Sequence, residues 1–345
     1  MNELFCPGPV NVYSNIQSEI NKLVSHRSEQ FRNILEECKI STLDLFKTNI
    51  KQHTPLFLTG SGTMAIEAMI YSYVRYKKVL ILSNGFFGER WIDMCKSYNT
   101  TYRALICNWN EPYDYELIEK NLTDENFDCV FFVHHETSTT MINDIYKLND
   151  ICRKKSVELI SDIVSSAGIY DINLSELKSV SMVGFSTNKC IGSYPGLSIV
   201  ISKNIVFDDI IFSDNYLNLK NYHNYIQNNE TPYTPCVQSI FAYKQAMINI
   251  KNNTNIYAYY ENLMTYFITN LKKEGFYPVL KHNQCVWVVN IVCADPDKFY
   301  KSLSDNNITI YRCKKHLQAN SVQIAIFNKN ISDIDKLLSH IKKIH

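Results

Sequence analysis

Neither sign of charge prevails in this sequence: 35 lysines and arginines face 34 aspartates and glutamates, a formal net charge of +1. Without a basic excess, bulk electrostatics draws the chain neither to nucleic acid nor to an anionic membrane, and neither is expected as a partner. No apolar run reaches the roughly 18 residues that a membrane-spanning helix needs. The opening nine residues, Met1 to Pro9, hold no basic region and no long apolar core, so no signal peptide is expected. The 11 cysteines, an odd number, include no Cys-x-x-Cys pair. That predicts reduced thiols and a cytoplasmic location rather than a disulfide framework or a zinc site. No internal repeat and no low-complexity linker interrupts the chain. What is there is an ordinary globular composition, 46% hydrophobic and 20% charged over 345 residues. That length suffices for one large and one smaller domain.

Pro7-Gly8-Pro9 reads as a rigid, extended entry. A helix is expected over 16–48, where Ile34, Leu35, Cys38, Leu45 and Phe46 recur at helical spacing. From Pro55 the pattern changes. Strand-like runs at 56–59, 79–83, 101–107, 129–133, 158–161, 181–185 and 197–201 alternate with helical stretches. Such alternation predicts βαβ units and a mostly parallel α/β sheet. The Asn- and Tyr-rich segment 214–230 reads as a surface excursion, and helices resume over 237–274. Strands at 285–292, 309–312 and 322–327, with helices at 296–305 and 331–344, describe a small α+β lobe. The expected division is an N-terminal arm (1–15), a large domain (16–240) and a small C-terminal domain (241–345).

Three segments carry chemistry. Thr59-Gly60-Ser61-Gly62-Thr63 lies between an apolar strand and a helix start, where free backbone N–H groups and two hydroxyls suit a phosphate ester. Gly60-x-Gly62-x-x-Ala65 also fits a dinucleotide fingerprint, but the next strand ends in Ser83-Asn84-Gly85, without the acidic residue that fingerprint expects. Asp162 closes a second strand, and Lys189 follows a third within Gly184–Gly196. A lysine able to form a Schiff base, a carboxylate able to hold a pyridinium proton and a phosphate cradle are the parts that hold pyridoxal phosphate. Taken singly, each has a plainer reading: a capped helix, an N-cap aspartate, a solvated loop lysine. Phe86-Phe87 between Gly85 and Gly88 offers a ring to stack on a planar cofactor, or a core pair. Polar residues in His134-His135-Glu136-Thr137-Ser138-Thr139-Thr140 follow a parallel strand, where α/β ligand sites form. Adjacent histidines on a strand point opposite ways, so no metal is expected.

These blocks, with Pro7-Gly8-Pro9, Glu67-Ala68, Ser165-Ser166 and Asn188-Lys189-Cys190-Ile191, resemble the class V (fold-type I) pyridoxal-phosphate aminotransferases nearly end to end. The likeness is greatest to the 2-aminoethylphosphonate–pyruvate transaminase branch, with alanine–glyoxylate aminotransferases near. The resemblance implies a mostly parallel large domain, a smaller α+β domain and a cytoplasmic homodimer with active sites at the interface. It implies transfer of an amino group between a small phosphonoamine, phosphoamine or amino acid and a keto acid. Position by position, Lys189 is the implied Schiff-base lysine and Asp162 the pyridinium partner. Ser61, Gly62 and Thr63 bind the phosphate, and Phe87 stacks on the ring. Thr139 and Asn188 lie by the 3-hydroxyl, and Thr234 reaches the neighbouring subunit's phosphate.

One departure concerns the substrate. Where the family has a carboxylate-gripping arginine in a late strand, this chain has Gln323, which offers no charged fork. Arg27, Arg90, Arg312 and Lys314 are the candidate replacements. The alternative activity is a pyridoxal-phosphate lyase or decarboxylase acting on a small phosphorylated amino compound. The family's glycine after Glu-Thr-Thr-Thr is also replaced, by Thr140.

Overall fold

The computed structural model describes residues 3–313 and 320–344. A seven-stranded sheet forms its centre. In chain order its strands are β1 (His53–Thr59), β2 (Lys78–Ser83), β3 (Thr101–Ile106), β4 (Cys129–Val133), β5 (Glu158–Asp162), β6 (Val180–Ser186) and β7 (Leu197–Lys203). The order across the sheet is β1-β7-β6-β5-β4-β2-β3. Strand β7 runs antiparallel to both its neighbours, and every other pairing is parallel. Every residue of β4 and β6 is buried, as befits parallel strands covered on both faces. Edge strand β3 alternates exposed and half-buried positions. The expected strand positions match within a few residues, and the parallel arrangement is as the alternation implied.

A second, antiparallel sheet of four strands follows: β8 (Tyr277–Pro278), β9 (Val288–Val292), β10 (Tyr311–Arg312) and β11 (Ser321–Ala325), in the order β8-β9-β11-β10. With helices Ile256–Lys273, Pro296–Ser304 and Ile331–Ile341 it encloses its own core around Trp287, Phe267, Phe299 and Leu337. The N-terminal segment joins this lobe. Glu3–Leu4 pairs with Ile308–Thr309, Phe5 and Val10 enter its core, and buried Lys329 reaches Glu3 at 2.9 Å. The expected boundary at 240 falls inside helix Val237–Lys251, whose Ala246 and Met247 still belong to the large core.

Two helical expectations change. Instead of one helix over 16–48 there is a short turn at Ser14–Gln17, a 3-10 turn at Ser18–Asn21 and a helix Glu29–Leu45. Ser28 ends the break by accepting the N–H of Phe31 as N-cap. Within the polar excursion, helix Leu219–Ile226 forms because Asn218 caps it and Leu219, Tyr222 and Ile226 find cover. Its many Asn and Tyr residues hid that face.

Candidate active site

The carboxyl ends of β1, β2, β4, β5 and β6 converge on one cavity of about 170 Å³. This is where open α/β sheets bind ligands. After β1 the chain turns at Gly60 (φ +157°), and Ser61 becomes the N-cap of helix Gly62–Ser72 without spending its hydroxyl on a capping bond. Ser61, Gly62 and Thr63 line the cavity with that hydroxyl and the helix's leading N–H groups. Glycine at 62 leaves room for Val164: a Cβ there would stand 2.8 Å from Val164 Cγ2 and would force that side chain to move.

Asp162, the last residue of β5, is 6% exposed, and its Oδ1 accepts the Val164 N–H at 2.7 Å. Burial pushes its carboxyl up to about 7, reinforced by the charge of Glu136 and opposed by Lys189 and Arg90. Among the described residues no cation pairs with it. Lys189 lies just past β6, half-buried, with its Nζ 5.8 Å from the centre of the Phe87 ring. Burial lowers the Lys189 pKa, while neighbouring Cys190 and Asp162 oppose the shift. Gly8 of the N-terminal segment closes over this lysine; a Cβ at Gly8 would stand 3.2 Å from Lys189 Cε.

Phe87 enters the cavity from the first turn of helix Phe86–Ser97. Arg90, Trp91 and Met94 follow it on the same helical face and line the same wall. Glu136 fixes that turn. Its buried carboxylate accepts the N–H groups of Phe87 (3.1 Å) and Gly88 (3.0 Å) and the Ser138 hydroxyl (2.6 Å). Gly85 is needed for this contact, since a Cβ there would lie 2.4 Å from Glu136 Cγ.

Of the residues expected from sequence, Ser61, Gly62, Thr63, Phe87, Asp162, Asn188, Lys189 and Arg90 share the cavity. Thr139 does not line it: fully buried, it donates to the Glu136 carbonyl at 3.3 Å, and Thr137 stands on the wall instead. Thr234 is exposed and lies outside the cavity. Arg27 donates to the Thr231 carbonyl at 3.2 Å and approaches Glu230 at 3.7 Å. Arg312 pairs with Asp297 on the outer edge of the small sheet. Lys314 lies outside the described residues. Gln323, 7% exposed, sits behind the wall and donates at 2.8 Å to the Thr137 carbonyl and to Asn290 Oδ1.

His135, Ser165, Ser186, Trp91 and Met94 also line this wall; the sequence marked the His134–Thr140 run and Ser165-Ser166 without giving His135 or Ser165 a role, and it did not mark Ser186, Trp91 or Met94. Helical spacing from Phe87 would have found Trp91 and Met94. His135 was set aside with its neighbour as a metal question. Among the described residues, no group of three or more His, Cys, Asp or Glu is placed to hold a metal ion. All 11 cysteines are unpaired, most of them buried, and no described helix is long and apolar enough to cross a membrane.

The residues present fit pyridoxal phosphate. The helix N-terminus with an uncommitted serine suits its phosphate, the unpaired buried carboxylate suits its ring nitrogen, and the enclosed amine suits its aldehyde. Residues 10–322 match the family Aminotransferase class-V. The chain is 24% identical over 324 residues to the bifunctional phosphonoacetaldehyde hydrolase/aminoethylphosphonate transaminase of Clostridioides difficile, covering 89% of this chain and 51% of that one. It is 24% identical over 322 residues to the 2-aminoethylphosphonate–pyruvate transaminase of Bacillus cytotoxicus, covering 89% and 88%. The chain thus spans about half the length of the first, and 64–65% of three other curated relatives. The solved alanine–glyoxylate aminotransferase of a Nostoc species superposes with a TM-score of 0.91 at 21% identity, covering 99% of this chain and 95% of that one. The fold is therefore that of the fold-type I aminotransferases, and the chain belongs to the class V aminotransferase family.

Proposed function

We propose that the protein is a pyridoxal-phosphate-dependent transaminase. It exchanges an amino group between a small amine, such as a phosphonoamine or an amino acid, and a keto acid. The observation that carries this reading is the convergence of Lys189, Asp162, Phe87 and the Ser61–Thr63 turn on one cavity. Ser61, Gly62 and Thr63 would hold the phosphate, Phe87 would stack on the ring, and Asp162 would keep the ring nitrogen protonated. When bound, the cofactor supplies an aldehyde that captures a primary amine and a protonated ring that draws electrons from the adjacent carbon. Lys189, kept toward its neutral amine by burial, would be the base that moves the proton from the substrate carbon to the cofactor's aldehyde carbon, and in the opposite direction when the keto acid is aminated. Arg90 is the cation in place for the substrate's anionic group, since Arg27 and Arg312 are committed elsewhere. Gln323 keeps the wall in register through Thr137 but supplies no charge.

The working form we infer is a cytoplasmic homodimer. Exposed Thr234 follows the Glu230–Thr231 segment, which Arg27 and Arg32 brace at 3.2 Å and 2.5 Å. That braced segment is suited to reach a second copy's phosphate cradle, where Ser61 is also exposed.

Reduction of the pyridoxal-phosphate-loaded protein with borohydride should leave the pyridoxyl group on the peptide containing Lys189. Lys189→Ala should show no such adduct while unfolding at nearly the wild-type temperature. Adding 2-aminoethylphosphonate should abolish the visible band of the loaded protein, and pyruvate should restore it. The absence of a charged fork at Gln323 favours a second reading, a lyase or decarboxylase on a small phosphorylated amino compound. Substrate loss without that reversible exchange would put it first.

A further inference from the structure

His135 is buried at 1% exposure on the cavity wall, one residue past His134 at the end of β4. Its Nδ1 lies 2.8 Å from the Ser165 carbonyl oxygen. A carbonyl can only accept, so Nδ1 carries the ring's hydrogen. The same carbonyl accepts from Trp287 Nε1 at 3.1 Å, and the Trp287 ring meets the imidazole edge-on at 5.6 Å. Ring position and tautomer are therefore both fixed. Burial pushes the imidazole pKa down to about 3, and nearby Lys189 adds to that, so the ring stays neutral. Its Nε2 is then a bare lone pair. That nitrogen is buried and has no hydrogen-bond partner among the described residues. A buried acceptor left unmatched is costly, and nothing in the fold's packing calls for one here. The adjoining wall is polar: Thr137 donates to Ser165 Oγ, and Asp162 closes the same loop.

We propose that His135 Nε2 is a positioning acceptor, taking a hydrogen bond from an O–H or N–H group of the molecule bound in this cavity. This rests on the pyridoxal phosphate reading above. The donor is an amine or hydroxyl of the substrate, because the cofactor's ring hydroxyl, ionised beside a protonated ring nitrogen, can only accept. His135 therefore also selects among substrates, because a molecule without the donor leaves Nε2 unpaired.

The test is titration of the cofactor-free protein with pyridoxal phosphate, followed by quenching of the cavity's Trp91, with wild type, His135→Leu and His135→Gln. KM and kcat for 2-aminoethylphosphonate are measured on the loaded proteins. Glutamine places an acceptor oxygen near the position of Nε2, whereas leucine leaves none. A Kd for pyridoxal phosphate about tenfold weaker in the leucine variant, with KM unchanged on the loaded protein, overturns the proposal, because His135 then shapes only the cofactor's seat. An unchanged Kd with KM raised about tenfold, kcat largely kept and glutamine partly restoring KM, identifies the substrate as the donor. A folded leucine variant with unchanged Kd and KM overturns the proposal alone. No binding of pyridoxal phosphate by the wild type overturns the transaminase reading, and this proposal with it. Should the leucine variant fail to fold, ¹⁵N-histidine NMR of the wild type decides. The Nε2 resonance of His135 should move when 2-aminoethylphosphonate is added to the loaded protein. A resonance that stays still through that addition refutes the acceptor role.

Discussion

At the scale of single residues, the site asks for charges that the fold does not reward. Asp162 is buried without a cationic partner, and its carboxyl titrates near 7 instead of the ordinary 3.8. The folded chain therefore holds this proton where the unfolded chain has lost it. The resulting stability is fully present below 3.8 and is lost progressively as pH rises to about 7. Asp162→Asn removes that loss and keeps an oxygen for the Val164 N–H. The cofactor-free variant should unfold at a higher temperature than wild type, by a margin that widens between about pH 4 and about pH 7 and then levels off. The same variant should turn over far more slowly when loaded, because the ring nitrogen loses its counter-charge. A margin that does not grow with pH would mean that Asp162 is not protonated in the empty cavity. Arg90 makes the complementary prediction. Arg90→Ala should raise KM for pyruvate ten- to a hundredfold, about 1.4–3 kcal/mol, while Arg27→Ala and Arg312→Ala in the same chain have lesser effects. Equal losses in all three would refute the assignment. The shared cavity of Lys189, Asp162 and the Ser61–Thr63 turn was legible in sequence because each sits at a strand end with a residue type that chemistry restricts. The engagement of Arg27 and Arg312 was not, since Glu230 and Asp297 lie 203 and 15 positions away from their partners. Gln323 showed as a gap in charge, and its bond to Thr137 shows only in three dimensions.

At the scale of elements, the loop after β4 carries the strain. Thr140 holds φ at +66°, fully buried, in the left-handed region that β-branched residues avoid. This explains physically why a glycine suits that place in the family pattern. Thr140 is retained with a hydroxyl bond to Gln284 at 3.1 Å, while its carbonyl accepts the Cys285 N–H at 2.9 Å, tying the loop to the small lobe. Alanine and glycine both lose the hydroxyl, but only alanine keeps the Cβ that strains the backbone. Thr140→Gly should therefore be more stable than Thr140→Ala by about 1 kcal/mol, read from urea midpoints. The reverse order would show that the loop relaxes in the variants. Strand elements were legible because parallel, doubly covered strands read as short apolar runs, as in Cys129–Val133. Helix ends were less so: the break before Glu29 and the helix at Leu219–Ile226 turn on single side-chain caps, Ser28 and Asn218, within polar sequence.

At the scale of the molecule, the two lobes meet at the lysine. The N-terminal segment packs with the small lobe, yet its Gly8 lies so near Lys189 of the large one that a Cβ there would stand 3.2 Å from Lys189 Cε, and Tyr311 of β10 donates to the Gly8 carbonyl. Nothing in the sequence pattern said which lobe would own residues 3–10, because a two-strand pairing with Ile308–Thr309 across the whole chain leaves no periodic trace. The largest step beyond one chain is the shared site, and it can be tested without another structure. Thr234 is exposed here and outside its own cavity, so Thr234→Asp should not disturb the fold. If it faces a second copy's phosphate, the added carboxylate repels that phosphate and the variant should bind pyridoxal phosphate weakly. Lys189→Ala should be inactive on its own. Mixed dimers of the two variants contain one site with an intact lysine and, across from it, an intact Thr234. Co-expression should therefore restore activity that neither variant has alone, and the activity should travel with the dimer on a sizing column. Mixed dimers that stay inactive, or a Thr234→Asp protein with wild-type cofactor affinity, would place each active site within a single chain.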